Sequence, residues 1–135
     1  ALDGFVRAAE DPDLRVRVMA PWLFGRAFLG DAKNVDRAVR AVVSATGRIA
    51  ATTLRQQADA LSGWLDNAAK THAAVRAPTL VIAGEDDALI AASHARAIAE
   101  TIADAKLEVL DEVGHAPMVE APDRLQALLR DFLDA

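Results

Sequence analysis

Thr79-Leu-Val-Ile-Ala-Gly-Glu-Asp-Asp87 and Asp111-Glu-Val-Gly-His-Ala-Pro117 decide the fold of this chain. Within the first, Leu80-Val-Ile-Ala83 is a continuous apolar run, as expected for a strand covered on both faces. At ~3.3 Å per residue, Thr79–Ala83 spans roughly 16 Å. Gly84 ends the run, and a turn with two carboxylates, Asp86 and Asp87, follows. The second stretch comes after another β-type run, Leu107-Glu-Val-Leu110, and turns at Gly114-His115. Ala95, Ile98, Ala99 and Ile102 between the runs mark one face of a helix. Pro122 opens a last helix with Leu125, Leu128, Leu129, Phe132 and Leu133 at i, i+3, i+4, i+7 and i+8. Strand–helix–strand–helix at this spacing predicts a right-handed parallel unit and an α/β fold class.

Groups just past the carboxyl ends of neighbouring parallel strands converge on one crevice. Asp86 or Asp87 and His115 occupy such positions. A buried Asp that accepts the Nδ1–H of a histidine fixes its tautomer and stabilises the imidazolium formed when the other nitrogen takes a proton. Taken singly, a turn Asp and a loop His are ordinary surface groups. Matched strand-end positions, one helix apart, make them a candidate pair.

Upstream, the pattern is helical. Residues 1–10 are a short helical candidate weakened by Gly4. Asp11-Pro12-Asp13 is a helix start, with a capping Asp, a Pro whose missing N–H costs nothing, and negative charge in the first turn. Leu14-Arg-Val-Arg-Val18 alternates like a strand, yet Leu14, Val18 and Trp22 fall at helical spacing. The start signal selects a helix, bent or restarted near Pro21. After Gly30-Asp31, Val35, Val39, Val42 and Val43 mark one helix face. After Gly47, Ala50, Leu54, Gln57, Ala58 and Leu61 mark another, ended by Gly63. A short helix over about 66–75 leads to Pro78. The chain thus divides into a helical region, 1–75, and a β-α-β-α region, 76–135.

Two strands that read as buried on both faces, covered by two helices on one face, do not make a self-sufficient sheet. Further strands are expected from sequence outside these 135 residues or from another chain. The start at Ala1-Leu2-Asp3, with neither Met nor signal peptide, reads as a processed or truncated chain.

Composition narrows the function classes. The 53% hydrophobic and 26% charged residues describe a globular protein with few aromatics, 4%. Twenty acidic against fifteen basic residues give a formal charge of −5, with no Lys/Arg block to hold nucleic acid. The absence of cysteine excludes disulfides, thiolate metal sites and a cysteine nucleophile. No apolar run approaches the ~18–20 residues that span a bilayer, so no membrane partner is expected, and a cytoplasmic location is the default.

Pro78-Thr-Leu-Val-Ile-Ala-Gly-Glu-Asp-Asp87 followed by Gly114-His-Ala-Pro-Met-Val-Glu-Ala-Pro122 closely resembles the C-terminal portion of the α/β-hydrolase family. In that family a strand ends in Gly-x-x-Asp, and the next is followed by Gly-His with a Pro and then Glu-x-Pro before the closing helix. The resemblance covers about residues 76–135. It puts the family's acid on Asp87, three after Gly84, and its histidine on His115; Asp86 is the less favoured neighbour. It also makes residues 1–75 look like the lid of these enzymes. Pro21-Trp-Leu-Phe-Gly25 and the helix before Trp64 are similar, more weakly, to lids of single-domain esterases and enol-lactonases. The implied fold is the C-terminal part of an α/β-hydrolase, with a helical lid before two parallel strands alternating with helices and a sheet incomplete in this chain.

The sequence departs from the family at one point. The nucleophile's Gly-x-Ser-x-Gly turn between strand and helix is missing, since Ser44, Ser62 and Ser93 lie on or beside predicted helices. The early loop with a His-Gly-type sequence, which gives a second oxyanion N–H, is missing too. The resemblance therefore implies a hydrolase part that supplies Asp87 and His115 and depends on an N-terminal segment or partner chain for its nucleophile, inactive alone. A serine nucleophile implies a small ester or lactone as substrate; an aspartate would imply dehalogenation or epoxide opening. No cofactor is implied. A different class of reading is a non-catalytic module whose open sheet edge pairs with a partner.

Trp22, Phe24, Phe28 and Trp64 are candidates to line an acyl pocket, or to hold the lid helices together. Leu89, Ile90 and Met118 lie beside the proposed pair and are candidates to wall the site. His72 and His94 read as solvated helix residues. Asp86, Asp87, Asp111, Glu112 and His115 lack EF-hand spacing and read as a solvated cluster, not a metal site.

Overall fold

The computed structural model describes residues 11–45, 51–65 and 68–134. The helical candidate at 1–10 and the start expected after Gly47 lie outside the described residues, as do the side chains of Val42, Leu54 and Ala58 on the expected helix faces. In chain order the elements are α1 (Pro12–Leu23), α2 (Arg26–Leu29), α3 (Ala32–Ala45), α4 (Ala51–Leu65), α5 (Ala68–Ala73), β1 (Leu80–Gly84), α6 (Ala92–Thr101), β2 (Lys106–Leu110), α7 (Pro117–Glu120) and α8 (Pro122–Leu133). None of the described helices is long and apolar enough to cross a membrane.

The start of α1 follows from its capping chemistry. Asp11 Oδ1 accepts the N–H groups of Asp13 (2.9 Å) and Leu14 (3.2 Å), and Pro12 occupies the first helical position. The helix runs through Pro21 and ends two residues later, where the Phe24 N–H reaches the Ala20 carbonyl. The residues that marked its helical spacing are not its buried face. Leu14, Val18 and Trp22 are exposed, whereas Val16, Ala20 and Phe24 are buried. Both stripes repeat every four residues, so spacing alone cannot choose between them; packing against α3 does. There Ala38 and Val39 are buried. Asp31 starts α3 by accepting the Lys33 N–H at 2.8 Å. Gly63 does not end α4, which continues to Leu65, and Leu61 on its expected face is exposed.

The two strands pair in parallel, Leu80 against Lys106 through Gly84 against Leu110. Bonds from Lys106 N–H to the Thr79 carbonyl and from Glu85 N–H to the Leu110 carbonyl, each 2.9 Å, carry the pairing beyond both ends. The crossover helix α6 packs on both strands and buries Ala95. Strand β2 is not buried on each face: Lys106 and Glu108 are exposed and alternate with partly buried Leu107 and Val109. The period of two therefore holds, with one polar face, in place of the two-sided burial read from the run. The turn of helix α7, between the His-bearing loop and α8, lay outside the sequence expectation.

The main buried cluster joins the two regions. Ala20, Phe24, Phe28 and Ala38 form it, with Leu23 and Leu29 packed alongside, and Ala116 and Val119 reach it from beyond β2. The helical region is thereby seated against the loops that follow the strands.

Candidate active site

Both strand-end loops are drawn together by backbone bonds. Beyond β1, the Asp86 N–H donates to the Val113 carbonyl at 2.9 Å. Gly84 makes this close approach possible, because a Cβ there would collide with the carbonyl oxygens of Val113 and Gly114. Asp87 then turns its carboxylate inward. Its Oδ1 accepts the N–H groups of Leu89 (2.9 Å) and Ile90 (2.8 Å), a local turn of the kind Asp favours. Oδ2 lies 2.9 Å from His115 Nδ1.

That geometry fixes the imidazole. An ionised carboxylate only accepts, so the proton between the two groups sits on Nδ1. In the neutral ring Nε2 is then left with a lone pair, and it has no hydrogen-bond partner among the described residues. The Asp87 side chain is 8% exposed and that of His115 35%. Burial pushes the Asp87 carboxyl up. The Ile90 N–H, the His115 hydrogen bond, the Leu89 N–H and the His115 charge together outweigh it, and the group sits below the ordinary carboxylate value. Asp87 is therefore an anion wherever His115 is to act as a base.

Asp86, the alternative partner, serves another end. Its Oδ2 accepts the Arg26 N–H at 3.1 Å, and its Oδ1 lies 3.2 Å from the Arg26 guanidinium. It thus caps the first turn of α2 from across the fold. One residue separates an acid facing the histidine from an acid facing the helical region.

An apolar cleft of about 350 Å³ opens beside the Asp87–His115 pair, walled by Val81, Ile82, Ile90, Ile98, Pro117 and Met118. His94, read as a solvated helix residue, is exposed and also borders it. Of the expected pocket residues, Ile90 and Met118 line this cleft. Leu89, Trp22 and Trp64 are exposed outside its wall, Trp64 with its ring edge-to-face with that of His72 at 5.5 Å. Phe24 and Phe28 are 4% and 5% exposed and stack at 4.7 Å, so they bind helices together rather than line the cleft. A second cavity of about 400 Å³, bordered by Phe28, Asp111, Glu112 and Arg124, contains neither Asp87 nor His115. Among the described residues, no group of three or more acidic or imidazole side chains is placed to hold a metal ion.

Sequence reasoning gave Glu120 no role beyond its place in the Glu-x-Pro pattern. Its carboxylate accepts backbone N–H groups from Gly114, Ala116 and Gly25. The pattern marks the residue, but a contact to Gly25 has no local signal.

Residues 1–128 match the model of the Alpha/beta hydrolase family. Over 73 residues, 52% of this chain and 26% of the relative, the chain is 38% identical to 2-hydroxymuconate semialdehyde hydrolase of Pseudomonas sp. (strain CF600). Over 59 residues, 44% of the chain and 18% of the relative, it is 36% identical to the monoacylglycerol lipase ABHD6 of Bos taurus. The fold is similar to that of a thermophilic esterase from Thermogutta terrifontis, with a TM-score of 0.74 and 23% identity over 95% of this chain and 47% of that one. The chain thus spans about half the length of that structure, and its matches span about a quarter or less of these two relatives. With a parallel pair of strands carrying an acid and a histidine at their carboxyl ends, and a family match over nearly its whole length, this chain belongs to the alpha/beta hydrolase family.

Proposed function

We propose that this chain supplies the base and its orienting acid to a hydrolase with a nucleophile–His–Asp triad, acting on a small ester or lactone. The observation that carries the reading is the 2.9 Å bond from His115 Nδ1 to Asp87, with Nε2 left without a partner among the described residues. In this reading the nucleophile is a serine on a segment or chain other than these 135 residues. Ser62 and Ser93 are exposed on α4 and α6 and make no hydrogen bond to His115. The serine oxygen attacks the carbonyl carbon as its proton passes to Nε2. The carbon–oxygen bond to the alcohol breaks, and Nε2 returns the proton to the leaving oxygen. Water then attacks the acyl group, Nε2 takes one of its protons, and that proton returns to the serine oxygen as the acid leaves. Asp87 holds Nδ1–H throughout and stabilises the imidazolium.

Residues 1–75 act in this reading as a lid over 76–135. Supporting it are the bonds of Leu23, Gly25 and Arg26 to His115, Glu120 and Asp86. The apolar walls of the cleft, and relatives named as hydrolases and lipases, support a small carbonyl substrate with an apolar body.

The test is turnover of a short-chain nitrophenyl ester by the full-length gene product. Asp87→Asn is expected to lower kcat by about 10⁴-fold and His115→Ala by about 10⁶-fold, the scales of losing a triad's orienting acid and its base. Undiminished turnover in either variant removes that residue from the mechanism. Halide release from a haloalkane, with no ester turnover, would replace the serine by an aspartate.

A further inference from the structure

The loop that carries His115 runs from Leu110, the end of β2, to Pro117, the start of α7, outside any strand ladder or helix. Around the histidine, the N–H groups of Gly114, His115 and Ala116 are held from outside the loop. The His115 N–H donates to the Leu23 carbonyl at 3.0 Å. The N–H groups on either side both point at Glu120. Gly114 lies 3.0 Å from each carboxylate oxygen, and Ala116 lies 3.1 Å from Oε1. The same carboxylate takes a third donor, the Gly25 N–H, at 2.7 Å from Oε2. Bonds of this kind, N–H to carboxylate, are shorter and roughly twice as strong as those between neutral groups.

The packing around this carboxylate leaves no slack. A Cβ on Gly25 would lie 2.5 Å from the Glu112 carbonyl oxygen, and one on Gly114 would lie 2.5 Å from the Gly25 nitrogen. The backbone leaving α1 and the backbone carrying His115 therefore run in contact, with no side chain between them. Glu120 spans the junction from α7.

We propose that Glu120 is a positioning residue for His115. It grips the backbone on both sides of the histidine and ties it to Gly25, so that seating the helical region and aligning His115 with Asp87 are one event. The inference rests on the reading of His115 as general base, but its immediate consequence, the tautomer of His115, is measurable without turnover. Glu120 touches neither the cleft nor the ring and acts only through the loop.

The experiment is imidazole ¹⁵N NMR on the histidine-labelled full chain at a pH where the rings are neutral. The chain has three histidines, and His115 is assigned by its loss in His115→Ala. Wild type is expected to hold the His115 proton on Nδ1. In Glu120→Gln one acceptor oxygen becomes an NH₂ facing N–H donors, and in Glu120→Asp the reach is one methylene shorter. Both variants are expected to show His115 as a mixture of Nδ1–H and Nε2–H, with helical circular dichroism and a cooperative melt retained. In the full-length gene product kcat should fall by about 10–100-fold, the scale of a misplacement near 1 Å, with KM within about twofold. An unmixed Nδ1–H ring in both folded variants would overturn the proposal. Loss of the fold in both would overturn it too, by making Glu120 a residue of stability alone. Tautomer mixing in a protein whose wild type turns over no ester would sustain the positioning role and fail only the functional reading.

Discussion

Gly114→Ala should damage this protein far more than one methyl group ordinarily does. The added Cβ would lie 2.5 Å from the Gly25 nitrogen, 2.6 Å from the Phe24 carbonyl carbon and 2.8 Å from the Phe24 Cα. All three are backbone atoms, so no side chain can rotate out of the way. The shortest approach falls about 0.9 Å inside the 3.4 Å edge of ordinary contact, and the two segments must part by about that much. Forcing extra volume into a packed site costs about 1–3 kcal/mol. Parting the segments also stretches the 2.7 Å bond from Gly25 to Glu120, and a hydrogen bond to a charged group contributes about 1.5–3 kcal/mol. A net loss of about 2.5–6 kcal/mol follows, a large share of the ~5–15 kcal/mol that holds a domain folded. Gly63→Ala is the internal control. Gly63 lies inside α4 with nothing within 4 Å of a built Cβ. There the same substitution relieves the glycine penalty and should stabilise by about 0.5–1 kcal/mol. Urea unfolding of both variants beside the parent, read as the shift in Cm at unchanged m, gives the two signs. A Gly114→Ala protein within about 0.5 kcal/mol of the parent would mean that the segments part freely and that the Glu120 bridge does not hold them.

Acid should destabilise the protein partly through Asp87. Its carboxyl is held below the ordinary value of 3.8 in the folded state, so it adds stability above pH 3.8 that is lost as pH falls below that point through the folded value. Melting temperature against pH should be flatter in that window for Asp87→Asn, and an unchanged acid slope would count against the lowered carboxyl. Phe28→Ala should cost about 3–5 kcal/mol, as a buried ring stacked on Phe24, whereas Trp22→Ala, 56% exposed, should stay within about 0.5 kcal/mol. Equal losses in denaturant melts would place Trp22 in the packing and refute the assignment of α1's buried face.

The β-α-β-α unit could be read from sequence because each of its signals is local. An apolar run stopped by Gly84, a helical stripe from Ala95 to Ile102 and a Pro at the start of α8 all lie within a few residues of what they specify. The choice between Asp86 and Asp87 could not be read so firmly, since both are good turn residues in adjacent positions. It is settled by the Leu89 and Ile90 N–H groups, which seize Oδ1 of Asp87 and aim Oδ2 at His115. The buried face of α1 is hidden for a related reason: Leu14–Val18–Trp22 and Val16–Ala20–Phe24 are equally periodic, and only α3 distinguishes them. In the sequence, Trp22, Phe24, Phe28 and Trp64 are open to both readings, pocket wall or lid packing, because bulk and clustering fit either equally well.

Three bonds explain why the seating of the helical region left so little trace in the sequence. Leu23 offers its carbonyl to the His115 N–H, Gly25 its N–H to Glu120, and Arg26 its N–H to Asp86. Each residue of this junction contributes a main-chain group, which every amino acid but proline possesses in full, so side-chain identity is hardly constrained. Only Gly25 is, because the Glu112 carbonyl oxygen would lie 2.5 Å from a Cβ there. The Arg26 guanidinium adds an ion pair to Asp86, but that side chain is 67% exposed, and such pairs contribute about 0–1 kcal/mol. Specificity therefore resides in the partners, Asp86, Glu120 and the glycines that let the backbones touch. Asp86 adjoins Asp87, Gly114 adjoins His115, and Glu120 lies on the short helix that follows. A mechanical link from the helices to His115 is thus built almost wholly from side chains of the β-α-β-α region, with the helical region contributing mainly the path of its backbone.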